Sequence, residues 1–437
     1  MADPIARTVL ASYRNISRLL SPVVRAWVEN RTRLGKEHPG RRSERFGRPN
    51  LARPDGPIVW VHAASVGETV SVVPLIDVIA ARGLRVLLTT GTLTSAKVAE
   101  DRLPPRALHQ FAPLDVVSFV ARFLNHWQPD LAIFVESEIW PATVSELARR
   151  RVPQVVVNAR LSSRSGRRWA RLGGIARALF GRLALVLAQS QADAERLRLV
   201  GAAPVIVTGN LKFDVAPPDA IDHELAALHR QIGDRPVWLA ASTHAGEEEA
   251  AAAAHAALKA RFPGLLTVLV PRHPARGPEI RGLLAARGLA VAARSERAEV
   301  SAETDVLLGD TIGEMGLYYR VAPLAFIGGS LVDRGGQNPI EAAALDTAVL
   351  HGPHVKNFLD IYRAFDRNNA SLEVADADGL EAAVGALLAD SVRRGRMAAA
   401  GRRLVTANRG ALERTLAALE PYLEPLAARA SGGGGPP

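Results

Sequence analysis

The strongest constraint on the fold of this 437-residue chain is a repeated alternation of short, apolar, β-rich runs with amphipathic helical stretches. A first set of six runs lies at residues 58–62, 86–90, 131–135, 155–158, 185–188 and 205–208. A second set of five lies at residues 237–241, 266–270, 306–308, 324–327 and 348–350. Strands that alternate with helices build parallel, doubly wound sheets, so the pattern predicts an α/β chain with two Rossmann-like domains.

Breaks in this rhythm predict the domain boundaries. A stretch rich in proline and acidic residues separates the two sets of strands and is typical of a linker. We therefore expect five segments: a basic arm at 1–54, an N-terminal domain at 55–212, a linker at 213–236, a C-terminal domain at 237–425 and a disordered tail at 426–437.

Positive charge is concentrated at the start of the chain. The whole sequence has a net charge of +10, and residues 1–54 hold 12 Lys/Arg and 4 Asp/Glu, which gives them +8. On a helical projection one side carries arginines and the opposite side carries apolar residues. The arginines are Arg7, Arg14, Arg18 and Arg25, and the apolar residues are Ile5, Val9, Ile16, Leu20, Val23 and Trp27. Pro22 predicts a kink.

This arm predicts in-plane attachment to an anionic membrane surface. A helix docked on the protein with a solvated charged face is the alternative. The uncharged runs are shorter than the roughly 20 residues that a spanning helix needs. Nucleic acid is not expected as a partner, because the basic stretch lacks interleaved aromatic residues.

Several reaction classes lose their usual sequence support. The chain has no cysteine, which excludes disulfides, thiolate nucleophiles and thiolate metal sites. It also lacks the P-loop, GxGxxG, HExxH and GxSxG patterns of ATPases, dinucleotide-binding enzymes, zinc proteases and serine hydrolases. His351 and His354 flank a Gly-Pro pair, which is more typical of a structural role than of a metal site.

In the first domain, ionisable residues follow three predicted strands. Ligands of parallel sheets bind at the carboxyl ends of strands, so these positions are functional candidates. Glu68 either accepts a proton from a substrate or only complements a helix dipole. Glu136 and Glu138 share one side of an emerging strand, which favours a functional role. Lys212 is a partner for Glu136, a contact for a substrate anion or a solvated lysine.

In the second domain, four turns at strand ends carry polar or glycine-rich sequences. They lie at residues 242–249, 271–274, 309–314 and 328–341. Arg272 presents a guanidinium suited to a phosphate, and Glu341 is placed to bond a ribose. Each turn alone is unremarkable in a protein of this class. Four at the strand ends of one domain favour a ligand that contains a nucleotide.

Taken together, these motifs resemble the 3-deoxy-D-manno-octulosonic acid (Kdo) transferase family over about residues 58–425. The motifs lie at residues 62–69, 135–141, 158–163, 209–214, 242–248, 271–274, 309–314 and 328–341. The resemblance implies a GT-B glycosyltransferase, with two Rossmann-like domains facing across a cleft. It also implies inverting transfer of Kdo from CMP-Kdo to a lipid A precursor (lipid IVA) in lipopolysaccharide synthesis, with release of CMP.

The resemblance further implies a place and a set of site residues. The place is the cytoplasmic face of the inner membrane of a Gram-negative bacterium, and neither a metal nor a cofactor is implied. Glu68 would be the proton acceptor, and Glu136 and Lys212 would stabilise the transition state. The CMP-binding residues would be Pro271, Arg272, Ile312, Gly313, Glu314, Asn338, Pro339, Ile340 and Glu341.

Two departures from the family pattern stand out. Arginines interrupt the apolar N-terminal anchor, and Gln337 replaces a histidine that is frequent before the Asn-Pro pair. A non-catalytic, membrane-surface adaptor that binds a nucleotide sugar is the alternative function. A nucleotide-sugar epimerase is disfavoured, because GxGxxG and a Tyr-x-x-x-Lys pair are missing.

Overall fold

The computed structural model describes residues 4–432 and divides them into two compact units. Unit 1 contains the described residues up to Val215 together with those from Arg409 onward. Unit 2 contains Ala216–Asn408. Each unit is built on one parallel seven-stranded sheet covered by helices, as the alternating pattern predicts. The expected α/β class is therefore confirmed.

The sheet of unit 1 has the strand order β3-β2-β1-β4-β5-β6-β7. Its strands are β1 (Ile58–Ala63), β2 (Arg85–Thr90), β3 (Ala107–Phe111), β4 (Leu131–Val135), β5 (Gln154–Ala159), β6 (Leu185–Ala188) and β7 (Val205–Val207). Its helices are α1 (Pro4–Leu19), α2 (Ser21–Arg33), α3 (Val66–Ala81), α4 (Leu93–Arg102), α5 (Val117–Trp127), α6 (Pro141–Arg149), α7 (Ser163–Arg171), α8 (Gly174–Phe180) and α9 (Gln191–Leu199).

The sheet of unit 2 has the order β10-β11-β9-β8-β12-β13-β14. Its strands are β8 (Val237–Thr243), β9 (Leu266–Pro271), β10 (Val291–Ala293), β11 (Val306–Leu308), β12 (Leu324–Ile327), β13 (Ala348–His351) and β14 (Ser371–Glu373). Its helices are α10 (Asp222–Ile232), α11 (Glu247–Leu258), α12 (Gly277–Ala285), α13 (Met315–Val321), α14 (Ile340–Ala344), α15 (Leu359–Arg367), α16 (Ala377–Ala389) and α17 (Ser391–Ala407). A last helix, α18 (Ala411–Gly432), follows unit 2 in the chain.

Both faces of the central strands are buried, which explains their continuous apolar runs. In β1, Trp60 packs with Phe134 in the cluster on one face of the sheet. Val59 and Val61 belong to the cluster on the other face. Successive side chains of a strand point to opposite faces, so a buried parallel strand needs apolar residues at every position.

The C-terminal helix belongs with unit 1, unlike the expected boundary. The predicted C-terminal domain includes residues 409–425, but Leu419 and Leu423 of α18 are fully buried against the unit 1 sheet. Asp214 fixes the start of this helix by accepting hydrogen bonds from the N–H groups of Gly410 and Leu412. The expected disordered tail is also wrong in part, because α18 continues to Gly432; residues 433–437 lie outside the described residues.

The basic arm forms two helices packed on the rest of unit 1, with a break at Leu20 just before Pro22. Leu10, Tyr13 and Val28 contribute to this packing: Leu10 and Val28 are buried, and the Tyr13 hydroxyl donates to the Asp115 carboxylate at 3.0 Å. The predicted apolar side remains largely exposed, at Val9, Ile16, Leu20, Val23 and Trp27. The side chains of Ile5 and Arg7 lie outside the described set.

Within residues 4–432, no helix has the length and apolarity needed to span a bilayer.

Candidate functional site

Glu68 lies in the first turn of α3, after the loop that leaves β1. Its carboxylate accepts hydrogen bonds from the Ala64 N–H at 2.8 Å and from the Ser65 hydroxyl at 2.7 Å. The Ser65 oxygen accepts in turn from the Glu68 N–H at 3.3 Å, so Ser65 is the N-cap of α3. Glu68 therefore stabilises the helix start, and the same bonds fix its carboxylate at the carboxyl end of the sheet.

The environment of Glu68 also changes its acidity. Burial, and next the negative charge of Glu136, raise the pKa of Glu68 to about 7, against the opposing effect of the hydrogen bonds from Ser65 and Ala64. A carboxylate with a pKa near 7 takes up and releases a proton close to neutral pH. This property distinguishes Glu68 from an ordinary first-turn acid that only complements a helix dipole.

Glu136 follows β4 in a left-handed backbone conformation, with φ of +62°. Residues with a Cβ atom rarely adopt this conformation, and such strain concentrates at functional sites. The Glu136 carboxylate accepts a hydrogen bond from Lys212 Nζ at 2.7 Å. The two side chains are 19% and 13% exposed, so their attraction is screened less than that of a surface pair. The expected pairing of Glu136 with Lys212 is thus present.

Two asparagines position the segment that carries Lys212. The Asn210 side chain accepts a hydrogen bond from the Lys212 N–H at 3.0 Å. Asn158, at the end of β5, is fully buried and accepts from the Leu211 N–H at 3.0 Å. Asn158 also has a positive φ, of +52°. These bonds tie the loop after β7 to β5 and thereby position the lysine beside Glu136.

Glu138, two residues after Glu136, is bonded within its own loop. Its carboxylate accepts from Trp140 Nε1 at 2.6 Å and lies 3.9 Å from His62 Nε2. Burial raises the pKa of Glu138, and the Trp140 bond opposes that rise. Burial also lowers the pKa of His62 to about 4, so this histidine is neutral near pH 7. The charges of Glu136 and Glu138 both raise the pKa of Glu68, so the three carboxylates form one interacting cluster.

A cavity of about 280 Å³ opens beside this cluster. Its lining combines aromatic rings, two guanidinium groups and two carboxylates, and includes Trp27, Arg31, Glu37, Arg45, Trp60, His62, Glu138 and Trp140. Trp27 and Arg31 belong to α2, so the arm forms part of the cavity wall. The sequence did not indicate this cavity, because it is assembled from the arm and from the ends of β1 and β4.

In unit 2, the expected CMP-binding residues lie on three loops at the carboxyl ends of strands. Pro271 ends β9, and the Arg272 side chain that follows is exposed. Ile312 is 89% exposed, and Gly313 has a φ of +94° with open space around its Cα. The position of Gly313 therefore requires a glycine and leaves room for a ligand to approach the backbone.

Glu314 is held by its own unit. Its carboxylate accepts hydrogen bonds from Arg294, from Thr311 and, at 2.9 Å, from the Tyr318 hydroxyl. Burial alone would raise the pKa of Glu314, but these donors hold it below its usual value. Arg294 was not among the predicted residues, because nothing in its local sequence indicates a partner 20 positions away.

The glycine-rich loop after β12 leads into α14 through Asn338 and Pro339. The Asn338 side chain accepts from the Ile340 N–H at 3.1 Å and donates to the Glu341 carboxylate at 3.3 Å. Asn338 therefore holds the turn in shape, and its side-chain oxygen is already used within the protein. The side chains of Pro339 and Ile340 are buried.

Glu247 organises unit 2 and was not predicted as more than a first-turn acid. It is fully buried, and its carboxylate accepts hydrogen bonds from four backbone N–H groups. These belong to His244, Gly329, Ser330 and Leu331, at 2.7–2.9 Å. The turn after β8 and the glycine-rich loop after β12 are therefore joined through one carboxylate.

His351 is buried, and its Nε2 atom lies 3.0 Å from the Asp366 carboxylate. Its ligand atom and those of Asp366 and Glu373 lie within 4.8 Å of one another. His354, the second histidine of the motif, is not in this group. The contact between His351 and Asp366 is consistent with the structural role expected for this histidine.

Comparison with known proteins places the chain among glycosyltransferases. Residues 40–215 match the family model described as 3-deoxy-D-manno-octulosonic-acid transferase (kdotransferase). The 3-deoxy-D-manno-octulosonic acid transferase of Bordetella pertussis is 40% identical over 93% of this chain and 97% of its own length. The enzyme of that name from Haemophilus influenzae is 35% identical over 94% of this chain and 98% of its own.

Solved structures of low sequence identity share the fold. A glycosyltransferase from Rickettsia africae matches 85% of this chain and 100% of its own with a TM-score of 0.55 at 12% identity. A UDP-GlcNAc 2-epimerase from Neisseria meningitidis matches 83% of this chain and 100% of its own with a TM-score of 0.56 at 13% identity. The fold is GT-B, and the identity to full-length curated relatives shows that this glycosyltransferase belongs to the 3-deoxy-D-manno-octulosonic acid transferase family.

Proposed function

We propose that this enzyme transfers Kdo from CMP-Kdo to a lipid A precursor, lipid IVA, in lipopolysaccharide synthesis. The observation that carries the proposal is the buried Glu68 carboxylate, with its pKa raised to about 7, beside the ion pair of Glu136 and Lys212. The relatives that match nearly the full chain are named for transfer of this sugar.

The reaction follows an inverting mechanism. The Glu68 carboxylate accepts the proton of an acceptor hydroxyl, and the freed oxygen attacks the anomeric carbon of Kdo. The bond from that carbon to the phosphate oxygen breaks, and CMP leaves with the bonding electrons. Lys212, oriented by Glu136, stabilises charge that develops in the transition state. Arg272 and the loops at 312–314 and 338–341 bind the CMP moiety.

The acceptor is a phosphorylated lipid at the cytoplasmic face of the inner membrane of a Gram-negative bacterium. The two arm helices present an exposed apolar side, with Arg18 and Arg25 also exposed. This combination is typical of helices that lie in the plane of an anionic membrane. The cavity that Trp27 shares with Glu138 offers aromatic rings on which a sugar can pack. We assign the acceptor headgroup to it.

A transfer assay tests the proposed function directly. The purified enzyme is incubated with CMP-Kdo and a tetra-acylated lipid A precursor, and CMP release and product mass are measured. We expect acceptor-dependent CMP release and a product heavier by one or more Kdo residues. Binding of CMP-Kdo without acceptor-dependent release of CMP would contradict the proposal and would instead support a nucleotide-sugar-binding adaptor.

A further inference from the structure

Unit 2 carries positive charge that its own acids do not neutralise. Arg272 follows β9, and Arg334 lies in the glycine-rich loop after β12. Both guanidinium groups are exposed, and neither forms a salt bridge with another residue in the range 4–432. Asp333, next to Arg334 in sequence, is bonded to Lys356 at 2.7 Å. Two cationic side chains therefore remain available at neighbouring loops.

His244 lies among these cations, directly after β8. Its ring packs edge-to-face on His273, with the ring centroids 5.7 Å apart. Burial, followed by the charges of His273, Arg334 and Arg272, lowers the pKa of His244 to about 4, so the ring is neutral near pH 7. Its Nε2 atom is buried and has no hydrogen-bond partner in the described part of the chain.

Gly329 brings His244 and Arg334 to one place. A Cβ atom built on this glycine would lie 3.4 Å from His244 Cδ2, 3.5 Å from Arg334 Cβ and 3.4 Å from Gln337 Nε2. Gly329 has a φ of +69°, and its N–H donates to Glu247 at 2.7 Å. The absence of a side chain at Gly329 thus leaves space that is bordered by the His244 ring, the stem of Arg334 and the Gln337 side-chain amide.

Glu247 bonds to the Gly329 N–H but forms no salt bridge with these cations. Its carboxylate is fully buried and accepts four backbone N–H groups. The exposed Arg334 guanidinium and the Gln337 amide therefore favour an anionic ligand beside Gly329.

The donor that we propose carries two anionic groups. One is its phosphodiester, which we assign to Arg272. The other is the carboxylate of Kdo, because an octulosonic acid is a carboxylic acid. The geometry points to a second anion subsite beside Gly329 and the His244 ring, in which Arg334 pairs with the donor's carboxylate and Gln337 donates a hydrogen bond to it. This inference rests on the proposed function and assigns substrate specificity to residues outside the CMP contacts.

Binding measurements without acceptor test the subsite. The dissociation constants of CMP, which lacks the carboxylate, and of CMP-Kdo are compared for the wild type and for Arg334→Ala. A charge-assisted, bidentate contact is worth a factor of about 10 or more in affinity. We expect Arg334→Ala to weaken CMP-Kdo by that factor and CMP by less than twofold. Arg334→Lys should fall between, because it retains the charge but not the fork.

Two comparison variants make the result specific. Arg272→Ala should weaken CMP and CMP-Kdo by similar factors, and Arg396→Ala, an exposed arginine on α17, should weaken neither. Equal weakening of CMP and CMP-Kdo by Arg334→Ala, or no weakening of either, would overturn the inference. Because no acceptor is present, a failure of sugar transfer in the wild type would contradict the proposed function without deciding this test.

Discussion

At the scale of single residues, unit 1 groups three buried or partly buried acids near the carboxyl end of its sheet. Glu68, Glu136 and Glu138 lie close enough for their charges to interact, and Lys212 forms a salt bridge with Glu136. Each additional negative charge makes ionisation of Glu68 harder, and burial has the largest effect. The result is a carboxylate that can act as a base near neutral pH.

The pH dependence of turnover follows from this cluster. Because the proposed base, Glu68, must be ionised, we expect the transfer rate to rise with pH up to about 7 and to level off above it. Glu136→Gln removes a charge that raises the pKa of Glu68, so it should move the rising limb to lower pH. It should also lower the plateau rate, because Lys212 loses its ionised partner, and CMP release across pH 5–9 measures both effects.

Replacement of Glu68, the proposed base, gives a second test of the mechanism. Glu68→Gln should reduce transfer by a factor of about 100 or more while CMP binding is unchanged. Near-normal turnover in this variant, or a rising limb that does not move in Glu136→Gln, would remove Glu68 from the mechanism. Thermal unfolding of both variants serves as the control for folding.

At the scale of elements, the two arm helices use different sides for different contacts. Buried residues such as Leu10 and Val28 attach the arm to the rest of unit 1, while the side chains of Leu19 and Val23 are exposed. Several basic residues later in the arm form salt bridges within the protein. Arg45, for example, forms a buried salt bridge with Glu37 at 2.9 Å. The net charge of the arm, counted from its sequence, is therefore larger than the charge that is available to bind a membrane.

A pair of equally exposed leucines tests membrane attachment. Leu19 on α1 is 79% exposed and Leu199 at the end of α9 is 78% exposed. In vesicles that contain an anionic phospholipid, Leu19→Glu should lower binding about 10-fold, because it removes apolar contact and adds like charge. Leu199→Glu should have no comparable effect. Equal effects of the two substitutions in a sedimentation assay would exclude α1 from the membrane contact.

At the scale of the whole molecule, two doubly wound sheets share one chain that enters unit 2 after Val215 and returns to unit 1 at Arg409. The same fold occurs in the epimerase and the glycosyltransferase that the chain resembles in structure. A fold shared by different reactions does not determine the reaction. The side chains at the strand ends and the sequence identity to Kdo transferases carry the functional assignment.

The returning helix provides a test of this organisation. Leu423 is fully buried in the unit 1 core, and Leu423→Ala should lower the free energy of unfolding by about 2–5 kcal/mol. Glu424→Ala, at the exposed neighbouring position, should change it by less than about 0.5 kcal/mol. Urea unfolding measures both. We expect CMP affinity to be unchanged in Leu423→Ala, and a marked loss would contradict the assignment of α18 to unit 1.

The sequence alone predicted the parallel α/β class and eleven of the strands, because central strands such as β1 and β4 are buried throughout and almost entirely apolar. It missed β3, β10 and β14, which are all edge strands, and edge strands have shorter or less apolar sequences. It also indicated Glu68, Glu136 and Lys212 as candidates, since each follows a strand, and the structure pairs Lys212 with Glu136.

Only the tertiary structure decided which distant residues meet. It placed α18 in unit 1, paired Arg294 with Glu314 and brought four N–H groups to Glu247. It also left the apolar side of the arm exposed. Local periodicity is encoded over a few neighbouring residues, whereas ion pairs, cavities and shared cores depend on packing between segments that are far apart in the chain.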